Sequence, residues 1–118
     1  MDKKITRLYT GPDGESHFED TVLHIECRVG TGRKAESMKA TGISVREKGP
    51  RQDHDWHNTP HRQFLIVLEG EVEMEVGDGS KHKFGPGDIL LSEDTTGRGH
   101  VTRALGGQSR KAVVVNLD

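Results

Sequence analysis

Apolar and polar residues alternate along much of the chain with a period of two. The segments Leu23–Val29 and Val72–Val76 both place charged or imidazole side chains between apolar ones. Since every second residue of a strand faces the same side, these segments predict half-buried strands. The continuous apolar run Phe64–Leu68 predicts a strand that is covered on both faces. Further strands are predicted at Ile89–Leu91, His100–Leu105 and Ala112–Leu117.

Turn signals separate these strands. Gly77–Gly79 favours a hairpin between Glu71–Val76 and Lys81–Phe84, and Gly85–Asp88 turns the chain again before the next strand. Arg33–Ala40 has room for one helical turn. About eight short strands in a chain of this length predict an all-β sandwich or small barrel, which hides its strand edges.

Composition supports one globular domain over residues 1–118. The chain has 15 glycines, close to twice the usual ~7%, which agrees with many tight turns. Its 17 basic and 19 acidic residues leave no global field for nucleic acid. Local basic pairs such as Arg110-Lys111 are therefore interpreted as solvated turns.

Membrane insertion and disulfide formation are also disfavoured. No apolar run reaches the ~18 residues that a membrane-spanning helix needs, and residues 1–5 lack the apolar stretch of a signal peptide. The single cysteine, Cys27, is interpreted as a buried structural thiol, because it cannot form an intramolecular disulfide. We therefore expect a cytoplasmic protein.

A histidine-rich turn is the first candidate site. Asn58–Pro60 is a turn signal, so a strand ends before it and an antiparallel strand begins after it. Asp55 and His57 share parity, as do His61 and Gln63, so a hairpin brings these four side chains together on one surface. These donors suit divalent transition metals. The alternative is a polar hairpin with exposed histidines.

Two longer patterns resemble the motifs of the cupin family. Residues 49–70 follow Gly-x5-Asp-x-His-x5-Gln-x6-Gly, similar to the first cupin motif Gly-x5-His-x-His-x3–4-Glu-x6-Gly, and end in Leu-Glu-Gly. Residues 85–104 contain Gly-Pro-Gly-Asp and then Thr-x-Gly-x-x-His, similar to the second motif. The resemblance implies a double-stranded β-helix, or jelly roll, with a metal site inside the barrel.

The resemblance also implies which residues bind the metal. Carried over by position, the ligand places are Asp55, His57, Gln63 and His100, with His61 and His54 as alternates for the first. Asp55 stands where the motif has its first histidine, and Gln63 stands where the motif has its glutamate. Two histidines and one carboxylate are the set associated with non-haem iron, and Fe, Mn, Ni and Zn are the expected metals.

Five other side chains are candidates for ligand contact or catalysis. Arg62 and Arg103 can grip a substrate carboxylate through the guanidinium fork. Trp56 packs the barrel or stacks on a ligand. Glu93 and Asp94 act as general acid or base if they turn inward, and are solvated loop residues otherwise.

Three functions follow as hypotheses. The first is a metal-dependent enzyme of dioxygenase, isomerase or lyase type acting on a small oxygenated molecule such as a sugar acid, keto acid or diketone. The second is a metal-free binding or sensor module for a small ligand. The third is a metal-free isomerase that uses His57 or His100 as base. The resemblance also implies a homodimer.

Overall fold

Eleven strands and no helix make up the part of the chain that the structure describes. The structure is a computed structural model that describes residues 2–30, 32–35, 37–50 and 52–117, with the backbone alone at positions 2, 26–28 and 33–35. The strands are β1 (Asp2–Thr10), β2 (Ser16–Val29), β3 (Gly32–Ala35), β4 (Ala40–Lys48), β5 (His54–His57), β6 (Gln63–Glu69), β7 (Glu71–Glu75), β8 (Lys81–Phe84), β9 (Ile89–Glu93), β10 (His100–Leu105) and β11 (Arg110–Leu117).

The strands form two sheets. The larger has the order β3-β2-β1-β9-β6-β11-β4, and the smaller has the order β5-β10-β7-β8. Within the described ranges, every strand pairing is antiparallel except that of β1 with β9, which is parallel. This arrangement is the double-stranded β-helix, so the predicted all-β jelly roll is confirmed.

The hydrophobic core lies between the two sheets and follows the period-two pattern. In β7, Val72 and Met74 are buried, while Glu73 and Glu75 turn outward and pair with Arg103. Each buried aliphatic side chain contributes about 1.5–3 kcal/mol to folding. The core cluster consists of Leu8, Val67, Val72, Met74, Val76, Phe84 and Leu90.

The predicted hairpin turn joins β7 to β8. The amide of Val76 donates to the carbonyl of Ser80 over 3.0 Å, and Gly79 has a φ of 89°. Only glycine adopts this left-handed conformation without strain.

Two expectations differ from the structure. Of the run Phe64–Leu68, only Val67 is buried, because the second sheet covers one face of β6 and leaves the other half-exposed. Arg33–Ala40 holds no helical turn among its described residues, because residues up to Ala35 pair with β2 as β3. The side chain of Cys27 lies outside the described part. No described segment is a helix able to cross a membrane.

Candidate functional site

Two glycines shape the loop before β10. Gly97 and Gly99 have φ values of 75° and 81°. A Cβ on Gly99 would fall on the carbonyl oxygen of His57, and one on Gly97 would fall on that of Gly14. This close backbone approach sets His100, the first residue of β10, directly opposite His57 in the β5–β10 ladder.

His100 is held by a carboxylate. It is 4% exposed, and its Nδ1 lies 2.7 Å from Oδ2 of Asp94, which is fully buried. A carboxylate only accepts hydrogen bonds, so Nδ1 carries the proton and donates it. The lone pair of the neutral ring is therefore on Nε2. The same contact orients histidine ligands in many metal sites.

The carboxylate of Asp94 forms hydrogen bonds with side chains from four segments of the chain. Besides His100, it accepts hydrogen bonds from Ser16 Oγ at 2.7 Å, Thr59 Oγ1 at 2.6 Å and Ser92 Oγ at 3.3 Å. We call these five residues the Asp94 network. Each partner comes from a different place: the start of β2, the 58–60 turn, the end of β9 and the start of β10.

The network keeps Asp94 ionised. Burial raises the pKa of the carboxyl, but the hydrogen bonds from His100, Thr59 and Ser16 outweigh burial and bring it below its ordinary value. The interpretation of Asp94 as a solvated loop residue is therefore wrong. Its neighbour Glu93 is half-buried and pairs with Arg7 and Arg62.

A bulge in β5 decides which side chain accompanies His57. His57 pairs with His100, but His54 pairs with Thr102, so four residues of β5 oppose three of β10. Such an extra residue breaks the alternation of sides. His54, and not Asp55, consequently stacks on His57, with ring centroids 3.5 Å apart and ring planes 9° apart.

His57 also has a fixed proton. Its Nδ1 lies 2.7 Å from the backbone carbonyl oxygen of Asp55, which accepts only, so Nδ1 donates and Nε2 carries the lone pair. Burial lowers the pKa of His57, and the nearby His100 and His54 act in the same direction. The ring is therefore neutral at pH 7, and its centroid is 4.4 Å from that of His100.

Gln63, the first residue of β6, offers a third acceptor. Its side chain is 7% exposed, and among the described residues its buried Oε1 has no hydrogen-bond partner. An unsatisfied buried acceptor costs about 1–3 kcal/mol. A bound cation or donor would remove that cost.

These side chains line one cavity of about 410 Å³. That volume is within the ~300–1,000 Å³ of small-molecule sites. His54, His57, Gln63 and His100 lie along it, and basic residues of β4 and β11 also line it. Much of the remaining wall is apolar and comes from Leu65, Val67, Val72, Met74, Leu90 and Ala112.

Two predicted metal ligands do not line the cavity. Asp55 is exposed, and its Oδ1 accepts a hydrogen bond from the amide of Trp56 at 2.9 Å. His61 is exposed beyond the 58–60 turn. The structure thus brings together His57, Gln63 and His100, with His54 as the neighbouring imidazole.

The predicted ligand-contact residues also lie outside the cavity lining. Arg62 pairs with Glu93, and Arg103 donates to Glu75 at 2.6 Å. Trp56 is 36% exposed, and the guanidinium carbon of Arg98 lies 3.8 Å from the centroid of one of its rings. These three roles stay predictions.

The donor set of the cavity fits a divalent transition metal. His57 and His100 present imidazole nitrogens, Gln63 presents an orphaned oxygen, and none of these three atoms can donate when the rings are neutral. Ring lone pairs lie in the ring plane, so the stacked His54 and His57 cannot both point at one ion. Within the described ranges, no three His, Cys, Asp or Glu side chains are placed to hold a metal together. The amide of Gln63 is therefore needed to complete a three-donor set.

Residues 45–115, more than half of the chain, match the model of the family described as Cupin domain. This chain belongs to the cupin family. No curated protein matches it. Similar solved structures include a Cupin 2 conserved barrel domain protein from Salinispora arenicola, with 18% identity, a TM-score of 0.52, and 64% of this chain and 61% of that one covered.

Two further similar structures support the fold. An uncharacterized conserved protein with a double-stranded beta-helix domain from Klebsiella pneumoniae has 27% identity and a TM-score of 0.50, over 62% of this cupin and 63% of that chain. The cupin domain of Schizosaccharomyces pombe Cnp3 has 11% identity and a TM-score of 0.54, over 100% and 83%. The matches therefore span less than two thirds of the Salinispora and Klebsiella chains.

Sequence reasoning missed the basic residues of the cavity. Arg110 was expected in a solvated turn, but it begins β11 and lines the cavity with Arg46 and Lys48 of β4. The available signal was the spacing of Arg46 and Lys48, which puts both on one face of any strand that contains them. Which face that is depends on how β4 pairs with β11.

Proposed function

We propose that this cupin holds a divalent transition metal in its cavity through His57, His100 and Gln63, and uses it to bind and act on a small oxygenated organic molecule. The observation that carries the proposal is the buried Oε1 of Gln63, without a partner among the described residues, in the same cavity as two imidazoles whose proton positions are fixed. When bound, such an ion supplies Lewis-acid polarisation of a ligand oxygen.

The surrounding residues orient the donors. Asp94 fixes the tautomer and rotation of His100, and the carbonyl of Asp55 does the same for His57. The burial of Gln63 and His100 keeps bulk water from these atoms. Since all three donors are neutral, the positive charge of the ion stays available to a ligand with an anionic oxygen.

Metal analysis tests the proposal. The protein is stripped with EDTA, dialysed, reloaded separately with Fe²⁺, Mn²⁺, Ni²⁺ or Zn²⁺, and its metal content is measured by elemental analysis. We expect wild type to retain one of these ions, and His57→Ala and Gln63→Leu to retain much less. His61→Ala is the matched control from the same turn, and we expect it to retain as much as wild type.

Two results would contradict this ligand set. One is equal metal content in wild type, His57→Ala and Gln63→Leu. The other is metal loss in Asp55→Asn with retention in His57→Ala, which would return the carboxylate to the ligand role. Circular dichroism on each variant separates metal loss from unfolding.

The Asp94–His100 pair favours a second candidate, in which the cavity works without metal as a binding module or isomerase. A buried carboxylate behind His100 stabilises the imidazolium that forms when Nε2 takes a proton from a ligand. Exchange of carbon-bound protons of pyruvate and acetylacetone in D₂O, followed by NMR, tests this. Exchange that persists in EDTA and is lost in Asp94→Asn supports the metal-free function, and exchange abolished by EDTA contradicts it.

We also propose that a second copy of this chain covers the edge strand β4. This strand ends the larger sheet, and its Ile43 and Val45 are 74% and 70% exposed. A long apolar edge pairs readily with its own copy across a two-fold axis. Light scattering after size exclusion should find a dimer for wild type and a monomer for Val45→Lys. A monomeric wild type contradicts this proposal.

Balanced charge and a lone cysteine support a cytoplasmic protein that binds neither nucleic acid nor membranes, which stays part of the proposal. Fractionation of cells that express the tagged chain tests it. Recovery in the membrane fraction would contradict it.

A further inference from the structure

Three basic side chains line the cavity on the side of β4 and β11. Arg46 and Lys48 are two residues apart on β4, and the antiparallel register sets Lys48 opposite Arg110 and Arg46 opposite Ala112. All three basic residues line the cavity that holds the imidazoles. We call Arg46, Lys48 and Arg110 the basic wall.

The charges of the basic wall are not neutralised within the described residues, where none of the three has a carboxylate within 4 Å. Arg110 donates from Nη2 to the carbonyl of Gln52 at 2.8 Å, while its buried Nη1 has no partner there. Two acidic groups face this region. Glu71 lines the same cavity, and the charge of Asp53 reaches Arg110.

The neighbouring Lys111, in contrast, has its charge neutralised by two carboxylates. Its Nζ lies 3.6 Å from carboxylate oxygens of both Glu47 and Glu69. Lys111 also contributes to the cavity lining, but its charge is already paired. The basic wall is therefore set apart from it by the absence of such partners among the described residues.

The basic wall works against folding. Burial lowers the pKa of Lys48, and the charges of Arg110 and Arg46 lower it further. Burial likewise lowers the pKa of Arg110. Like charges directly opposite each other in an antiparallel ladder are destabilising. A ligand of opposite charge, bound in the cavity, relieves this repulsion.

The rest of the cavity limits what that ligand can be. Its core-facing wall is built from aliphatic side chains such as Leu65, Val67 and Leu90. The imidazoles and the basic wall line the same cavity, and the charge of Lys48 lowers the pKa of His54. A fitting ligand thus has an anionic head and an apolar body.

We propose that the cavity takes a small organic carboxylate, whose carboxylate pairs with Arg110 and Lys48 and whose apolar body packs on Leu65 and Val67. The guanidinium of Arg110 matches a carboxylate through two parallel hydrogen bonds, and its buried Nη1 has no partner in the part of the chain that the structure describes. This inference names the ligand class of the proposed function, but it requires no metal.

Calorimetric titration in EDTA tests the inference with four probes of matched design. Hexanoate carries the carboxylate and the apolar body, 1-hexanol and hexylamine keep the body and change the head, and acetate keeps the head alone. We expect hexanoate to bind at least about tenfold more tightly than the other three, because a charge-assisted pair in a cavity contributes about 1.4 kcal/mol or more.

Charge variants complete the test. Arg110→Gln and Lys48→Met should each weaken hexanoate binding about tenfold, while Arg110→Lys, which keeps the charge but not the fork, should weaken it less. Lys81→Met is the matched control, because Lys81 is exposed on β8 and does not line the cavity. Its affinity for hexanoate should equal that of wild type.

Three results would overturn the inference: no hexanoate binding by wild type, equal binding of hexanoate and 1-hexanol, or wild-type affinity in both Arg110→Gln and Lys48→Met. Loss of affinity in Arg103→Gln instead would assign the carboxylate to Arg103. Because metal is absent throughout, failure here leaves metal retention by His57 and Gln63 unaffected. Failure of metal retention likewise leaves hexanoate binding unaffected.

Discussion

The Asp94 network and the basic wall border the same cavity and treat charge in opposite ways. In the network, a buried carboxylate accepts hydrogen bonds from four side chains, one of them an imidazole. In the basic wall, Lys48 and Arg110 face each other as like charges. A buried charge is tolerated when it is bonded and costs stability when it is not.

The two regions should therefore respond differently to substitution. Substitutions in the Asp94 network should damage the fold, because the network joins segments that are distant in sequence. Substitutions in the basic wall should leave the stability of the fold unchanged or raise it, and they should weaken ligand binding. Four measurements test these expectations, in order of decreasing effect.

Gly99→Ala should lower the free energy of unfolding by about 3 kcal/mol or more, since it adds left-handed strain to a collision with the backbone of His57. Gly79→Ala is the control: its φ is also positive, but nothing lies within 4 Å of the new Cβ. It should cost about 1 kcal/mol. Urea denaturation measures both, and equal losses would show that the close approach at Gly99 is unimportant.

Asp94→Asn should lower the free energy of unfolding by about 2–3 kcal/mol, because it replaces charge-assisted hydrogen bonds in a fully buried place. Asp20→Asn removes a carboxylate from an exposed ion pair with Lys4 and should cost less than about 0.5 kcal/mol. Thermal and urea unfolding compare the two. If Asp94→Asn lowers the free energy of unfolding no more than Asp20→Asn does, the network does not stabilise the fold.

Lowering the pH should destabilise the metal-free protein in two stages. Folding depresses the pKa of His57 from 6.5 and that of Asp94 from 3.8, so in both cases the unfolded state binds protons more readily. The stability that these two groups contribute is therefore complete above pH 6.5, falls as the pH drops below that value, and falls again below pH 3.8. Urea unfolding in EDTA at pH 7.5, 5 and 3 should show this.

Variants assign the two stages. The pH 5 decline should be weaker in His57→Gln, with a remainder from His54, whose pKa is also depressed by folding. The acid decline should be weaker in Asp94→Asn. Stability that stays constant from pH 7.5 to 5 would contradict the burial of neutral imidazoles.

Lys48→Met should raise the free energy of unfolding by about 0.2–1 kcal/mol, because it removes a like charge opposite Arg110. The gain should shrink in 1 M salt. Lys111→Met is the neighbouring control, and we expect no gain because Lys111 has carboxylate partners. Destabilisation by Lys48→Met would mean that the basic wall supports the fold.

Much of the fold was predictable because its signals are local. Period-two alternation marked the strands, and glycines marked the hairpin at Gly77–Gly79. The cupin motifs pointed to His57, Gln63 and His100, and all three line the cavity. Parity misled at Asp55, because a β-bulge is a property of pairing between two strands and leaves no mark in either one alone.

The residues whose surroundings could not be predicted from the sequence share a physical reason. Asp94 is buried by partners up to 78 positions away, and Arg110 faces Lys48 only through the β11–β4 register. The sequence by itself determined strands, turns and the chemical types available to the site, because these depend on neighbouring residues. Tertiary structure decided which charges are bonded, which stay unpaired in the cavity, and which imidazoles meet, because burial and cross-strand pairing depend on residues far apart in the chain.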